Sequence, residues 1–251
     1  MTGLAPPPGW QVIRYLVIGS TNDEAKRLAQ DGAAARTVVW ALRQTKGRGR
    51  RGRPWHSPAG NLYASLILRP QVPAARAAQL GFVAALAVGG ALDRLCPGLT
   101  GLSYKWPNDV LLDGRKLCGI LLESEAGDGE RPAFLVAGIG INLQAAPQDT
   151  EFPATALTER GFPEITPDAL LAALLAEFER WMGCWESAGF APVRAAWRTR
   201  ALLGGSARVR LDRLSLQGRL IDIDEEGALL LLEEGGRRRR ISAGEVFPVQ
   251  D

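Results

Sequence analysis

The alternation of hydrophobic and polar positions along this chain predicts a sheet of short strands with helices packed against it. Apolar runs bounded by turn residues are typical of strands, and apolar positions three and four apart are typical of helices. The predicted strands are 10–18, 37–42, 61–68, 102–106, 110–112, 116–123 and 133–142, and the predicted helices are 22–29, 74–95, 167–186 and 192–199. Short turns between the central strands, such as Asp113-Gly114, favour a mixed and largely antiparallel sheet.

The pattern changes at residues 203–206, which read Leu-Gly-Gly-Ser, and no helical period follows. Short strands are predicted at 207–211, 216–223, 228–232, 237–242 and 245–249. Such a series of strands separated by turns is typical of a small barrel. We therefore expect an α+β domain over residues 1–203, with helices flanking its sheet, and a small β-barrel domain over residues 204–251.

The composition is typical of a folded protein and does not by itself indicate one class of binding partner. Of 251 residues, 46% are hydrophobic and 23% are charged, and the formal net charge is +3. The chain can bury a core and does not require a nucleic-acid surface. We expect no signal peptide in residues 1–9 and no membrane span, because we find no apolar run of sufficient length. Three scattered cysteines favour reduced thiols in a cytoplasmic protein over a zinc site.

Residues 44–55 carry the strongest chemical signature, Gln-Thr-Lys-Gly-Arg-Gly-Arg-Arg-Gly-Arg-Pro-Trp. Glycine lets the backbone approach a ligand closely, and arginine presents a permanent charge and a planar fork of donors suited to carboxylate and phosphate. Because this segment connects two predicted buried strands, we expect it to close over an anionic small molecule. The alternative is a nucleic-acid-binding protein that grips phosphates with this segment and with Arg237–Arg240, and its binding would depend steeply on salt.

Four further motifs place polar or small residues beside apolar strands. They are Ser20-Thr21-Asn22, Lys-Trp-Pro-Asn-Asp at 105–109, Lys116 at the head of the apolar segment 116–123, and Gly-Ile-Gly-Ile-Asn at 138–142. Each has an ordinary explanation: a helix cap, a turn, a lysine at a sheet edge, and a strand packed closely against a neighbour. Each also suits a ligand, since helix N-termini and lysines attract carboxylate or phosphate oxygens.

In this order and spacing, the motifs resemble those of the biotin–protein ligase family. The resemblance covers nearly the whole chain from Trp10 onward. The combination of Gly-Arg-Gly-Arg-Arg-Gly-Arg-x-Trp, Lys-Trp-Pro-Asn-Asp and Lys-Leu-x-Gly-Ile-Leu-x-Glu is highly specific. It implies a class II synthetase-like biotin/lipoate ligase catalytic domain and an SH3-like C-terminal barrel. The alternative within this fold is a lipoate or octanoyl ligase or transferase, but those enzymes lack the arginine-rich segment.

The resemblance implies a reaction in two steps. The carboxylate of biotin attacks the α-phosphate of ATP, which is bound with Mg²⁺, to give biotinyl-5′-AMP and pyrophosphate. A lysine of a biotin carboxyl carrier protein or domain then attacks the mixed anhydride and releases AMP. Both steps concentrate negative charge, so preorganised cations should supply much of the catalysis.

The resemblance also implies roles for individual residues. Biotin would contact Ser20, Thr21, Asn22, Gln44, Arg48, Gly49, Arg50 and Lys116, and ATP or the adenylate would contact Arg53, Trp55, Asn108 and Asn142. The catalytic residues would be Lys116, bridging the biotin carboxylate and the phosphate, Arg50, retaining the adenylate, and Asp109, orienting the acceptor lysine or accepting its proton. Asn108 and Asn142 would face the phosphates or their Mg²⁺, and no direct protein ligand to a metal is expected.

Some relatives carry an N-terminal helix-turn-helix domain and repress transcription. Only about ten residues precede the first predicted strand here, so we expect a form without the DNA-binding domain. The resemblance makes a homodimer possible and gives no indication of a membrane partner. It leaves open which carrier protein is modified and what the C-terminal barrel contributes.

Overall fold

The computed structural model describes residues 7–148 and 150–249, and its main body is a seven-stranded sheet covered by helices. The prediction that residues 1–9 contain no signal peptide falls mostly on residues 1–6, which lie outside the described part. The strands are β1 (Gln11–Ile18), β2 (Thr37–Gln44), β3 (Leu62–Leu68), β4 (Leu102–Lys105), β5 (Asp109–Leu112), β6 (Arg115–Ala126) and β7 (Pro132–Ile141). Their order is β1-β2-β3-β7-β6-β5-β4. β1 and β2 pair in parallel and the other described neighbours pair antiparallel, which confirms a mixed, largely antiparallel sheet.

Within the described residues, five α-helices cover the two faces of this sheet. They are α1 (Thr21–Gln30), α2 (Ala74–Ala77), α3 (Leu80–Leu95), α4 (Pro167–Ala188) and α5 (Phe190–Arg198). α1 buries Ala25 and Ala29 in a small cluster against β2, β3 and β7 on one face. α3 and α4 pack together in the large core of the other face. The side chain of Ser20 caps α1 by accepting a hydrogen bond from the amide of Asp23, as its sequence predicts.

The helix expected over residues 74–95 is interrupted at Ala78 and Gln79. Gln79 is buried and its Oε1 accepts a hydrogen bond from Trp185 Nε1 of α4 at 2.9 Å. By length and hydropathy alone, Ala74–Leu95 could cross a membrane, so the expectation that no apolar run is long enough was wrong. In this fold 78% of its apolar window is buried, because α4 and the sheet pack against it.

A second, five-stranded antiparallel sheet follows the helices. It consists of β8 (Ser206–Arg210), β9 (Ser215–Ile223), β10 (Leu229–Glu233), β11 (Arg238–Ile241) and β12 (Glu245–Pro248), in the order β11-β10-β9-β8-β12. Its apolar face joins the large core of the main body. Trp106 donates from its indole to the carbonyl of Gly227 at 3.0 Å, so the two sheets are also tied by a buried hydrogen bond. Arg239 pairs with Glu233 of β10, and Arg240 pairs with Asp224 in the turn after β9.

Asn61 fixes the segment that follows β7. Its Oδ1 accepts hydrogen bonds from the backbone amides of Leu143, Gln144 and Ala145 at 2.9, 2.9 and 3.1 Å. Its Nδ2 donates to the carbonyl of Ala145 at 2.7 Å, and the side chain is 1% exposed. One buried amide therefore satisfies backbone groups that would otherwise lack partners.

We expect Asn61→Ala to lower the free energy of unfolding by roughly 2–4 kcal/mol, because buried amides lose their acceptor. Urea unfolding monitored by tryptophan fluorescence measures this change. Gln71→Ala is the matched control, since Gln71 is exposed and donates only to the carbonyl of Arg69. Equal stability of the two variants would contradict this role of Asn61.

Candidate active site

A cleft of about 1070 Å³ opens between the main sheet, the loop after β2 and strand β12. Every residue to which the resemblance assigns a role lines this cleft: Ser20, Thr21, Asn22, Gln44, Arg48, Gly49, Arg50, Arg53, Trp55, Asn108, Asp109, Lys116 and Asn142. These residues come from segments that are far apart in sequence. The fold therefore collects the separate motifs in one place.

A polar wall lies at one end of the cleft, formed by Thr21, Asn22, Gln44 and Ser57 and supported from behind by the buried Ser65. Gln44 Oε1 accepts from the backbone amide of Thr21 at 2.8 Å and from its hydroxyl at 3.0 Å. Gln44 Nε2 donates to Ser57 Oγ at 3.1 Å. Ser65 is fully buried, and its Oγ lies 2.6 Å from Asn22 Oδ1. These bonds hold the side chains of the polar wall in fixed orientations before any ligand arrives.

Residues 47–55, here called the flap, form a loop with its own hydrogen bonds. The amide of Trp55 donates to the carbonyl of Gly47 at 2.9 Å, and the amide of Gly49 donates to the carbonyl of Arg53 at 2.8 Å. A Cβ at Gly47 would collide with Ser57 Oγ and lie 2.7 Å from the carbonyl of Trp55, so only glycine fits at the base. Arg51 has a φ of 57°, in the left-handed region that a tight turn requires.

The base of the flap is attached to the polar-wall end of the cleft through Arg48. Its guanidinium donates to both carboxylate oxygens of Glu123, at 2.9 and 2.8 Å, and to Ser20 Oγ at 3.1 Å. Asp23 lies 2.9 Å away. Although burial opposes the charge, these carboxylates raise the pKa of Arg48. The guanidinium is therefore permanently charged and held by two acids.

The tip of the flap is attached to the C-terminal sheet. Arg50 donates to the carbonyl of Gly244 at 3.0 Å and lies 3.4 Å from Asn108 Oδ1. Arg53 forms an ion pair with Glu245 of β12. Burial lowers the pKa of Arg50, which still carries its charge at neutral pH because a guanidinium is such a strong base. The C-terminal sheet is thus a wall of the cleft as well as a neighbour of the main body.

Trp55 lies over a pair of glycines on adjacent strands. Gly119 of β6 and Gly140 of β7 face each other across the sheet. A Cβ at Gly140 would lie 2.6 Å from Trp55 Nε1, and a Cβ at Gly119 would lie 3.0 Å from the ring. A Cβ at Gly138 would collide with Asn22 Oδ1. The glycine alternation of this strand therefore makes room for side chains of the cleft.

Asp109 holds two lysines on the floor of the cleft. Its carboxylate lies 2.9 Å from Lys105 Nζ and 2.6 Å from Lys116 Nζ. Burial favours the neutral acid, but the two lysines outweigh it and hold the pKa of Asp109 below its usual range. Lys116 lies at the start of β6, an interior strand between β5 and β7, so its expected place at a sheet edge was wrong. Its Nζ also lies 5.3 Å from the centre of the Trp55 ring.

Asn108 and Asn142 have different surroundings. Asn108 Nδ2 donates to the carbonyl of Ile120 at 2.6 Å, which fixes its amide. Asn142 Nδ2 donates to the carbonyl of Thr155 at 3.2 Å, whereas its Oδ1 is buried without a hydrogen-bond partner in the described part of the chain. That oxygen is free to accept from a ligand or its water. Within residues 7–148 and 150–249, His, Cys, Asp and Glu form no group of three that could hold a metal ion.

Sequence reasoning assigned no role to several residues that line or support the cleft. They are Lys105, Glu123, Ser57, Ser65, Phe152 and Glu245. Lys105 is 7% exposed, lies over the ring of Phe152 at 4.0 Å, and is close to the carbonyl of Val246 at 3.2 Å. Burial lowers the pKa of Lys105, opposed by Asp109. The motif at 105–109 contains the only local signal for Lys105, because its partners Phe152 and Val246 lie in distant segments.

Two family models match this chain. The model of the biotin/lipoate A/B protein ligase family matches residues 52–199, and the model of the biotin protein ligase C-terminal domain matches residues 207–247. A biotin–[acetyl-CoA-carboxylase] ligase of Paracoccus denitrificans is 44% identical, covering 91% of this chain and 96% of the relative. One of Mycobacterium tuberculosis is 37% identical, covering 95% of this chain and 89% of the relative.

The solved structures agree with the relatives. A biotin protein ligase of Aquifex aeolicus in complex with biotin and ATP is 30% identical, with a TM-score of 0.81 over 96% of this chain and 99% of that one. Because the match covers 96% of this chain, it includes both the main body and the C-terminal sheet. Family models, relatives and fold therefore agree, and this chain belongs to the biotin protein ligase family.

Proposed function

We propose that this cleft activates biotin with ATP as biotinyl-5′-AMP and transfers the biotinyl group to a lysine of a biotin carboxyl carrier protein or domain. The observation that carries the proposal is the division of the cleft. Asn22 of the polar wall lies against Gly138 of β7, whereas Lys116 lies against Gly119, which pairs with Gly140, and shares Asp109 with Lys105. Biotin has the same division, with an uncharged polar ring and a carboxylate.

In the first step, a carboxylate oxygen of biotin attacks the α-phosphorus of ATP, and the bond to the β-phosphate oxygen breaks. Pyrophosphate leaves with the electron pair, so no proton needs to move. Lys116 would bridge the attacking carboxylate and the phosphate, and Arg53 and Asn142 would face the phosphates of MgATP; all three residues line the cleft. Lys116 is already held by Asp109 and Arg53 by Glu245, so both charges are oriented before the substrates bind.

The polar wall suits the ring of biotin. Thr21, Asn22 and Gln44 of this wall, together with the neighbouring Ser20, offer donors and acceptors at fixed positions. Arg48, Gly49 and Arg50 of the flap would lie over the tail and the adenylate. Trp55 would pack against the bound nucleotide or biotin, where its ring lies beside Lys116. A flap attached at both ends can shield a reactive acyl phosphate from water.

In the second step, the acceptor lysine attacks the acyl carbon. An amide bond forms, the acyl–oxygen bond breaks and AMP leaves with the electron pair. We propose that Asp109 orients the incoming amine and does not store its proton, because Lys105 and Lys116 hold the carboxyl in its ionised form. The proton of the amine then passes to solvent or to the departing phosphate.

We also propose that the chain divides into a catalytic domain at 1–203 and an SH3-like domain at 204–251. The change from helices to a second sheet and the match of the C-terminal family model to residues 207–247 support this division. Dimerisation, Mg²⁺ dependence and a cytoplasmic location stay predictions. Mg²⁺ would enter the cleft bound to the phosphate oxygens of ATP.

The proposed function predicts biotin-dependent exchange of pyrophosphate into ATP. Folded full-length protein with MgATP and labelled pyrophosphate should form labelled ATP only when biotin is added. Octanoate and lipoate serve as control acids, since the alternative enzymes of this fold use them. No exchange with biotin, or equal exchange with lipoate, would contradict the proposal.

We expect Lys116→Ala to slow adenylate formation by about 100-fold, the usual effect of removing one preorganised charge donor. The melting temperature should change little, because the Lys116 side chain is partly exposed and Asp109 keeps Lys105 as a partner. Arg115→Ala is the matched control, since the neighbouring Arg115 pairs with Glu159 on the surface. Normal exchange in Lys116→Ala would contradict this role and would indicate that the arginines supply the stabilising charge.

Replacing Arg50 should loosen retention of the intermediate. We expect Arg50→Gly to release several-fold more free biotinyl-5′-AMP, because the tip of the flap loses its bond to Gly244. The measurement is biotinylation of lysines on a bystander protein such as albumin. Arg213→Gly, in an exposed turn of the C-terminal sheet, is the control. Equal bystander labelling by both variants would remove Arg50 from this role.

A further inference from the structure

Glu123 is a partly buried carboxylate at the edge of the cleft that the proposed reaction does not use. It lies in β6 and accepts hydrogen bonds from two other elements. Asn22 Nδ2 of α1 donates to it at 2.7 Å, and Lys26 Nζ of α1 lies 3.2 Å away. Arg48 of the flap donates from one terminal nitrogen to both carboxylate oxygens, at 2.9 and 2.8 Å. One side chain therefore joins the central sheet, the first helix and the flap.

This carboxylate determines which way the Asn22 amide faces. Because Asn22 Nδ2 points to Glu123, its Oδ1 points to the buried hydroxyl of Ser65 at 2.6 Å. The same carboxylate holds Arg48 where its other terminal nitrogen reaches Ser20 Oγ at 3.1 Å. The orientation of the polar wall and the position of the flap base thus depend on one group.

This end of the cleft differs from the other end in its net charge. Glu123 and Asp23 face the two cations Lys26 and Arg48, so the cluster is close to neutral. Burial alone would favour a neutral Glu123, but hydrogen bonds from Asn22, Arg48 and Lys26 lower its pKa. An ionised but compensated carboxylate neither attracts nor repels an anion strongly. The anionic tail of a ligand is then directed to the lysines at the far end.

We propose that Glu123 is a positioning residue for biotin: it fixes the orientation of the Asn22 amide in the polar wall and anchors the flap through Arg48. This inference rests on the proposed function, because the ligand it positions is biotin. Glu123 touches neither the reacting carboxylate nor the phosphates. Replacing Glu123 should weaken the binding and retention of biotin and should change the rate of the chemical step little.

The test compares Glu123→Gln with Glu125→Gln in the full-length chain. The first substitution keeps the size of the side chain and removes the charge that holds Arg48. Glu125 lies two residues further on the same strand and accepts only from the exposed Gln30 at 2.6 Å, so it is a matched control. Biotin-dependent pyrophosphate exchange gives KM for biotin and kcat, and labelling of a bystander protein gives adenylate release.

We expect Glu123→Gln to raise KM for biotin by about tenfold or more, the usual effect of losing hydrogen bonds to a charged group. Its kcat should stay within about threefold of the wild type, and bystander labelling should rise. Glu123→Asp, which retains the charge, should recover part of the affinity. The KM of Glu125→Gln should equal that of the wild type.

An unchanged KM in Glu123→Gln, or a fall in kcat alone, would overturn the inference while wild-type exchange would still support the proposed function. Absence of exchange in the wild type would instead overturn the function itself. If Glu123→Gln fails to fold, Arg48→Lys tests the same link. Lysine keeps the charge but cannot reach Glu123 and Ser20 together, so KM for biotin should again rise, and an unchanged KM would count against Glu123.

Discussion

The pairing of Arg48, Arg53, Lys105 and Lys116 with fixed carboxylates is the constraint on which the rest of the site depends. Lys105 and Lys116 share Asp109, Arg48 is held by Glu123, and Arg53 is held by Glu245. Several positive charges in one partly buried cleft would repel each other and pull side chains towards solvent. Carboxylates from the protein hold them in place, so the cleft presents its charges already oriented. A neutral core could not do this, although it would be easier to bury.

The second constraint is space. Glycine occurs at 119, 138 and 140, where Cβ atoms would collide with Trp55 or Asn22. These positions lie on the adjacent strands β6 and β7, whose register brings 119 and 140 together. The sheet therefore gains a flat surface on which a large ring and a polar amide both fit. Charge placement and surface shape come from the same strands, so neither can change alone.

Local patterns predicted most of the fold because strand and helix periods, turns and caps depend on neighbouring residues. Ser20 as a cap and the strand at 133–142 needed no tertiary information. The break at Gln79 did, since its partner Trp185 lies in another helix. The cleft motifs were found as motifs, but the partnership of Glu123 with Arg48 joins residues 75 positions apart, and no local period carries it. The same holds for Lys105, whose burial depends on the C-terminal sheet.

The C-terminal sheet shows why those distant contacts matter to the chemistry. Gly244 and Glu245 already occupy donors of Arg50 and Arg53. An anion that binds these arginines must replace those contacts or share them, so its affinity is a difference between two sets of interactions. Arg210 links Glu245 to Glu151 beside the cleft, at 2.7 Å to each carboxylate. The C-terminal sheet therefore contacts the flap through Gly244 and Glu245, and the segment at Glu151 through Arg210.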